Sequence, residues 1–384
     1  MKRRNFITNT AVAATLPFIP QVNFKTNNTI AQLLQKHLPV NFNRDGLDLS
    51  PDLYGKLLQI LIKEKGFSPD SYGLGGMIHQ FEEKIALALG KEKAIFMPTG
   101  TLANHIALRK HCASNKRAIV QYDAHINRDS GDCATTLSGI NMITLGKQDV
   151  VFKVDELQDF IEDNMHGKVK TPIGVLSLET PVRRKKLKRI PFCDIEKITK
   201  TAKDHNMALH LDGARLYIDA AFSGKGIKEY TALFDTVYLS LYKSFNAVSG
   251  AMLAGTKEII DGLHNERRMF GGGLPSSWQQ IAIANYFFDG YEERYKKAIA
   301  KFSIFKELLE KSGKFQIKSL PNGSNVFKLI PTQKTDPVQF QKVLAAKQVF
   351  LPDWSKSDQC FYIKMNDSLL YNDVEQVVGL FLGA

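Results

Sequence analysis

The chain has 384 residues, 44% hydrophobic and 23% charged. That is enough apolar material for a large buried core in two or three domains, and it excludes disorder, collagen or a coiled coil as the main architecture. Lys plus Arg number 51 against 39 Asp plus Glu, a formal net charge of +12. The balance favours anionic ligands, but the basic residues are spread along the whole chain, which argues against nucleic-acid binding.

In chain order the first element is a targeting segment, residues 1–25. Lys2, Arg3 and Arg4 form a basic head, and residues 6–19 form a modestly apolar stretch broken by Thr8, Asn9, Thr10 and Thr15. It is too short and too polar to span a bilayer as a permanent helix. The Arg3-Arg4-x-Phe6-Ile7 run resembles a twin-arginine export signal, which implies a periplasmic protein without stable membrane anchoring. The alternative is a basic tail on a cytoplasmic protein.

Residues 26–70 read as an N-terminal arm and an amphipathic helix. From Met77, the apolar positions Met77, Phe81, Ile85 and Leu89 recur at helical spacing, with Gly90 as C-cap. Strand-like runs follow at 94–97, 119–122, 173–178, 207–211, 236–241 and 251–254, alternating with helix-like stretches. The runs are apolar throughout, the pattern of a parallel sheet covered on both faces. Gly271-Gly272-Gly273 and Pro275 mark a break, so a large domain is assigned to 71–272 and a smaller α+β domain to 273–384. Four cysteines without CxxC spacing (Cys112, Cys133, Cys193 and Cys360) offer neither a zinc ribbon nor a disulfide framework.

Two stretches carry chemistry: His210-Leu211-Asp212-Gly213-Ala214-Arg215-Leu216 and Tyr238-Leu239-Ser240-Leu241-Tyr242-Lys243-Ser244. Each begins as an apolar strand and ends in a charged residue. Asp212 and Lys243 are 31 residues apart, room for one helix between parallel strands, so both emerge at the carboxyl edge where open α/β sheets bind ligands. A lysine and a carboxylate so placed suit pyridoxal phosphate: the lysine forms the Schiff base, and the aspartate pairs with the protonated pyridine nitrogen. Thr99-Gly100-Thr101 opens a helix after a strand, a cradle for the phosphate. His210 and Asp212 also form an H-x-D pair, but no third ligand sits at characteristic spacing, so no metal is expected.

From Tyr72 to Gly273 the chain resembles the threonine aldolase and aromatic amino acid β-eliminating lyase family of fold type I pyridoxal-phosphate enzymes. Tyr72-Gly73 through Glu82 resembles its Y-G-x-x-x-x-x-x-x-L-E segment, Thr99 to Asn104 its S-G-T-x-A-N phosphate turn, and His125-Ile126 its H-I segment. His210 to Leu216 matches H-x-D-G-A-R-L, and Lys243 the Schiff-base lysine. The resemblance implies a mostly parallel sheet covered by helices with a smaller α+β C-terminal domain. It also implies cofactor contacts from Thr99, Gly100, Thr101, His125, Asp212, Arg215 and Lys243, with His125 stacked on the ring. Lys243, His125 and Asp212 are the catalytic set; Arg215 and Tyr72 are assigned to the substrate, with Lys364 standing in for the family's carboxylate-binding arginine.

Besides Lys364 for the arginine and Phe81 for the leucine of the first segment, the sequence departs from the family at three further places. Tyr242 and Ser244 flank the lysine, Leu274-Pro275 follows the glycine run, and the family's E-N-x-H becomes Glu179-Thr180-Pro181-Val182. The basic run Arg183-Arg184-Lys185-Lys186-Leu187-Lys188-Arg189 follows, placed by Glu179 at the site mouth, where it would meet an anionic substrate. The reading is therefore a lyase, homodimeric or homotetrameric, that cleaves a β-hydroxy-α-amino acid to glycine and an aldehyde. The alternatives are a β-eliminating lyase acting on an aromatic or sulfur amino acid, and a pyridoxal-phosphate protein that has lost lyase activity.

Overall fold

The structure, a computed structural model, describes residues 24–384. The expected export signal lies outside the described residues. Among these, no helix is long and apolar enough to cross a membrane.

The N-terminal region holds two helices, Phe24–His37 and Pro51–Lys65, where the sequence suggested one. The second is locally well specified. The Ser50 hydroxyl caps it by accepting from the Leu53 amide at 3.2 Å, Pro51 occupies its first turn, and Leu53, Leu57 and Leu61 bury one face. Between the helices, the two-residue strand β1 (Val40–Asn41) pairs with residues far along the chain. Such a short pairing leaves no periodicity to read.

The central sheet is built from β2 (Lys93–Met97), β3 (Arg117–Gln121), β4 (Asn141–Leu145), β5 (Val175–Glu179), β6 (Ala208–Asp212), β7 (Thr236–Ser240) and β8 (Ala251–Gly255). Its order is β2-β8-β7-β6-β5-β3-β4. The apolar runs of the sequence are these strands; every residue of β5, β7 and β8 is buried. The sheet is mostly parallel, as expected, and β8 is the one exception, since it runs antiparallel to both β2 and β7. Only residues 241–250 separate β7 from β8, fewer than the dozen or so that a crossover needs, so the chain must double back. β4 went unrecognised because it is an edge strand with half-exposed side chains and no clean pattern.

After β6 the expected single helix is broken into Leu216–Ser223 and Ile227–Thr231 by Gly224, which adopts a left-handed conformation (φ 74°). The C-terminal part holds β9 (Phe315–Ser319), β10 (Val326–Pro331), β11 (Val349–Phe350), β12 (Trp354–Ser355) and β13 (Cys360–Lys364). Four of them form an antiparallel sheet in the order β12-β13-β10-β9, while β11 pairs with β1. The helices Tyr291–Lys311 and Val374–Leu382 cover this part. Phe42, directly after β1, stacks on Phe305 and meets Phe381 edge-on. That packing holds residues 43–49 against the C-terminal sheet and next to Lys243.

Candidate active site

The carboxyl ends of β5, β6 and β7 and the segment after β3 converge with the start of the helix Gly100–Cys112, which follows β2. They enclose a cavity of about 230 Å³ whose lining includes Thr99, Gly100, Thr101, His125, Asp212 and Lys243. All the residues expected to form the cofactor site, except Arg215, line this one space.

The phosphate-cradle geometry is present. Thr99 caps the helix, its hydroxyl accepting from the Leu102 amide at 3.2 Å. A Cβ at Gly100 would fall 2.0 Å from the Tyr238 hydroxyl, so only glycine lets the turn come this close to β7. Helix amides and threonine hydroxyls together suit an anion.

Asp212 ends β6 and is held by a buried relay. Asn104 Nδ2 donates to Asp212 Oδ2 at 2.6 Å, and the Ala214 amide donates to Oδ1 at 3.1 Å. Asn104 Oδ1 contacts His210 Nε2 at 2.9 Å; His210 Nδ1 contacts the Thr236 hydroxyl at 2.8 Å, which contacts His111 Nε2 at 2.8 Å. Burial pushes His210 down to about 3 and His111 to about 4, so both rings are neutral and each can donate from one nitrogen only. One proton arrangement then satisfies the chain, and it presents an Asn104 N–H to the Asp212 carboxylate. His210 is therefore a member of this relay and not half of an H-x-D metal pair.

Lys243 is buried at 8% exposure. Burial, with the Arg215 charge adding to it, lowers its ammonium to about 8 against the ordinary 10.5. The amine is thus partly neutral near physiological pH, as a nucleophile must be. His125 begins a short helical turn. Its amide donates to Glu179 Oε2 at 2.6 Å, and its Nδ1 lies 3.1 Å from the Ser130 hydroxyl. Burial lowers the imidazole below its usual value, which favours the neutral form that can accept a proton.

Glu179 ends β5 beside Asp212, its register partner on β6. Burial, and then the Asp212 charge, raise its carboxyl to about 7. Both its oxygens receive backbone amides, from His125 at 2.6 Å and Arg183 at 2.9 Å. It fixes two loops at once. Its sequence signal was the same as that of Asp212, a carboxylate closing an apolar strand.

The substrate-side residues are placed less simply. Arg215 donates from Nε and Nη2 to Asp45 Oδ2 at 3.0 and 2.9 Å. Lys364 Nζ lies 3.2 Å from the other Asp45 oxygen. Burial alone would raise Asp45, but Arg215, Lys364 and Lys243 outweigh it and hold its carboxyl well below the usual range. Asp45, Lys364 and Lys243 line a second cavity of about 330 Å³, which shares Tyr242, Lys243 and Val248 with the first. Asp45 had no motif to mark it. Tyr72 is not brought to either cavity within this chain: its ring is 40% exposed and packs under the Arg268 guanidinium at 4.7 Å.

The family model for beta-eliminating lyases matches residues 67–317. A Schizosaccharomyces pombe relative named for low-specificity L-threonine aldolase is 29% identical over 255 residues, 65% of this chain and 65% of that protein's own length. The low specificity L-threonine aldolase of Escherichia coli K12 is 30% identical over 245 residues, 62% of this chain and 72% of that protein. Among solved structures, a candidate L-allo-threonine aldolase from Listeria monocytogenes superposes with a TM-score of 0.71 at 26% identity, covering 93% of this chain and 99% of that one. With the family model covering residues 67–317 and the fold shared with solved relatives, the chain belongs to the β-eliminating lyase family of fold type I pyridoxal-phosphate enzymes.

Proposed function

We propose that the protein cleaves a β-hydroxy-α-amino acid to glycine and an aldehyde. The observation that carries this reading is the joint lining of one cavity by Lys243, Asp212, His125 and the Thr99–Thr101 turn. This donor set fits pyridoxal phosphate. The turn would hold the phosphate, Asp212 the ring nitrogen and Lys243 the aldehyde carbon. Bound there, the cofactor supplies an electron sink for the pair released when a bond to Cα breaks.

The protein's own groups do the rest. Asp212, backed by the Asn104 relay, stays an acceptor toward a protonated ring nitrogen. His125, neutral through burial, takes the β-hydroxyl proton directly or through a water. Arg215 and Lys364 offer positive charge to the substrate carboxylate, with Asp45 fixing where they point. β-Elimination from an aromatic or sulfur amino acid is the second reading, favoured by the description of the matching family.

We further propose a homodimer or homotetramer in which the exposed Tyr72 serves a neighbouring site, and export through the Arg3-Arg4 signal to the periplasm. The deciding experiment loads the enzyme with pyridoxal phosphate and offers it threonine, phenylserine, tyrosine and cysteine. Glycine with an aldehyde supports the aldol reading. Pyruvate with ammonia replaces it with β-elimination, and no product from any of them refutes both.

A further inference from the structure

The basic run 183–189 follows Glu179 at the end of β5, beside Asp212, but its members are not equivalent. Lys185 is paired with Asp123 at 3.0 Å, Lys186 lies 4.4 Å over the Tyr362 ring, and Arg189 donates to the Gly323 carbonyl at 3.0 Å. Arg184 grips both oxygens of Asp129, at 3.0 and 2.6 Å. That fork accounts for the whole Asp129 charge. Arg183 adds one contact of 2.8 Å to an oxygen already held, which leaves one guanidinium charge in excess.

The position of this surplus charge is informative. The Arg183 amide and the His125 amide bind the two oxygens of the same Glu179 carboxylate, so Arg183 stands one group away from the base. Its charge is felt by both His125 and Tyr242, which line the cavity. Arg215 and Lys364 hold Asp45, which with Lys364 lines the second cavity, and that cavity meets the first at Lys243. A substrate whose α-carboxylate faces Lys364 in the second cavity and whose β-hydroxyl faces His125 in the first carries the group beyond its β-carbon on the His125 side, where Arg183 lies on Asp129 at the end of the His125 turn.

We propose that Arg183 selects β-hydroxy-α-amino acids carrying a second carboxylate beyond the β-carbon. The inference rests on the aldol reading above. The base takes the β-hydroxyl proton, the Cα–Cβ bond breaks as the C=O bond forms, an aldehyde bearing the carboxylate leaves, and Cα takes a proton to give glycine. No redox partner is needed. Arg183 can turn from Asp129 at small cost, because its side chain is half exposed and such pairs contribute little, while Arg184 keeps Asp129 satisfied. The planar guanidinium then meets the substrate carboxylate at two points.

The test compares kcat/KM of the holoenzyme for 3-hydroxyaspartate and for threonine, read as glycine released. The expected ratio is at least ~10 in favour of the diacid, and Arg183→Gln lowers that ratio about tenfold. Lys197→Gln removes the same charge from an exposed helix away from the mouth and leaves the ratio in place. Raising salt from about 0.01 to about 1 M also reduces the ratio, as the screening length falls from about 30 to about 3 Å. Retained cofactor absorbance in the Arg183 variant shows that the site is still assembled. A ratio near one in the parent, or an equal ratio in Arg183→Gln, overturns the side-chain inference while threonine cleavage keeps the aldol reading. If neither substrate releases glycine, both fall.

Discussion

Asp45 and Arg215 are 170 residues apart in the chain, yet the Asp45 carboxylate accepts two hydrogen bonds from one edge of the Arg215 guanidinium, at 3.0 and 2.9 Å. Lys364 approaches the other oxygen at 3.2 Å, so one carboxylate organises two cations from different parts of the fold. Asp45→Asn leaves the buried Arg215 and the partly exposed Lys364 beside a neutral amide. The expected cost is roughly 3–5 kcal/mol, the range for breaking a buried ion pair, measured by urea unfolding of the apoenzyme. Because the folded pKa of Asp45 is depressed, its stabilisation is present above the unfolded value near 4 and fades as the pH falls below it. A variant as stable as the parent at pH 7 would rule out this organising role.

Lys243 sets the pH dependence of cofactor uptake. Its folded pKa is lowered from 10.5 to about 8, so the charged form costs native stability below pH 8, and that cost disappears as the pH rises toward 10.5. The neutral fraction at pH 7 is about 300-fold above that of an ordinary lysine. The rate at which apoenzyme and pyridoxal phosphate develop a visible band should therefore climb about tenfold per pH unit up to ~8 and level off above it. Borohydride should then leave the pigment bound to the parent and not to Lys243→Ala. A rate unchanged from pH 6 to 10 would contradict the assignment.

His125 is expected to act as the base. General-base help is worth ~10²–10⁴-fold, so His125→Phe should keep the pigment while glycine release from a β-hydroxy amino acid drops at least ~100-fold. If that variant cleaves as fast as the parent, the imidazole only packs and the proton goes elsewhere.

Asn104 is the link that ties Asp212 to His210. Asn104→Ala strips a partner from each in a buried place, at an expected cost of about 1–3 kcal/mol in apoenzyme stability by chemical denaturation. A loss too small to resolve would mean that water replaces the amide.

The export reading is tested at the other end of the chain. Replacing Arg3 and Arg4 by Lys should retain the protein inside the producing cell. Equal periplasmic yield, by fractionation and immunoblot, would return the first 25 residues to the status of a basic tail.

The composition and apolar runs of the sequence determine an α/β sheet, and the charged residues closing two of those runs, Asp212 and Lys243, mark its carboxyl edge. The Thr99-Gly100-Thr101 turn was legible for the same reason: these features are local, set by residues within a few positions of one another. The antiparallel course of β8 was within reach, since residues 241–250 are too few for a crossover. Tertiary structure alone decided the rest. It set Asp45 on Arg215 and Lys364, put Asn104 between Asp212 and His210, and left Tyr72 away from both cavities. These pairings join residues about a hundred or more positions apart, fixed by the packing of the arm and the sheet edge, and no spacing along the chain encodes which buried charge will face which.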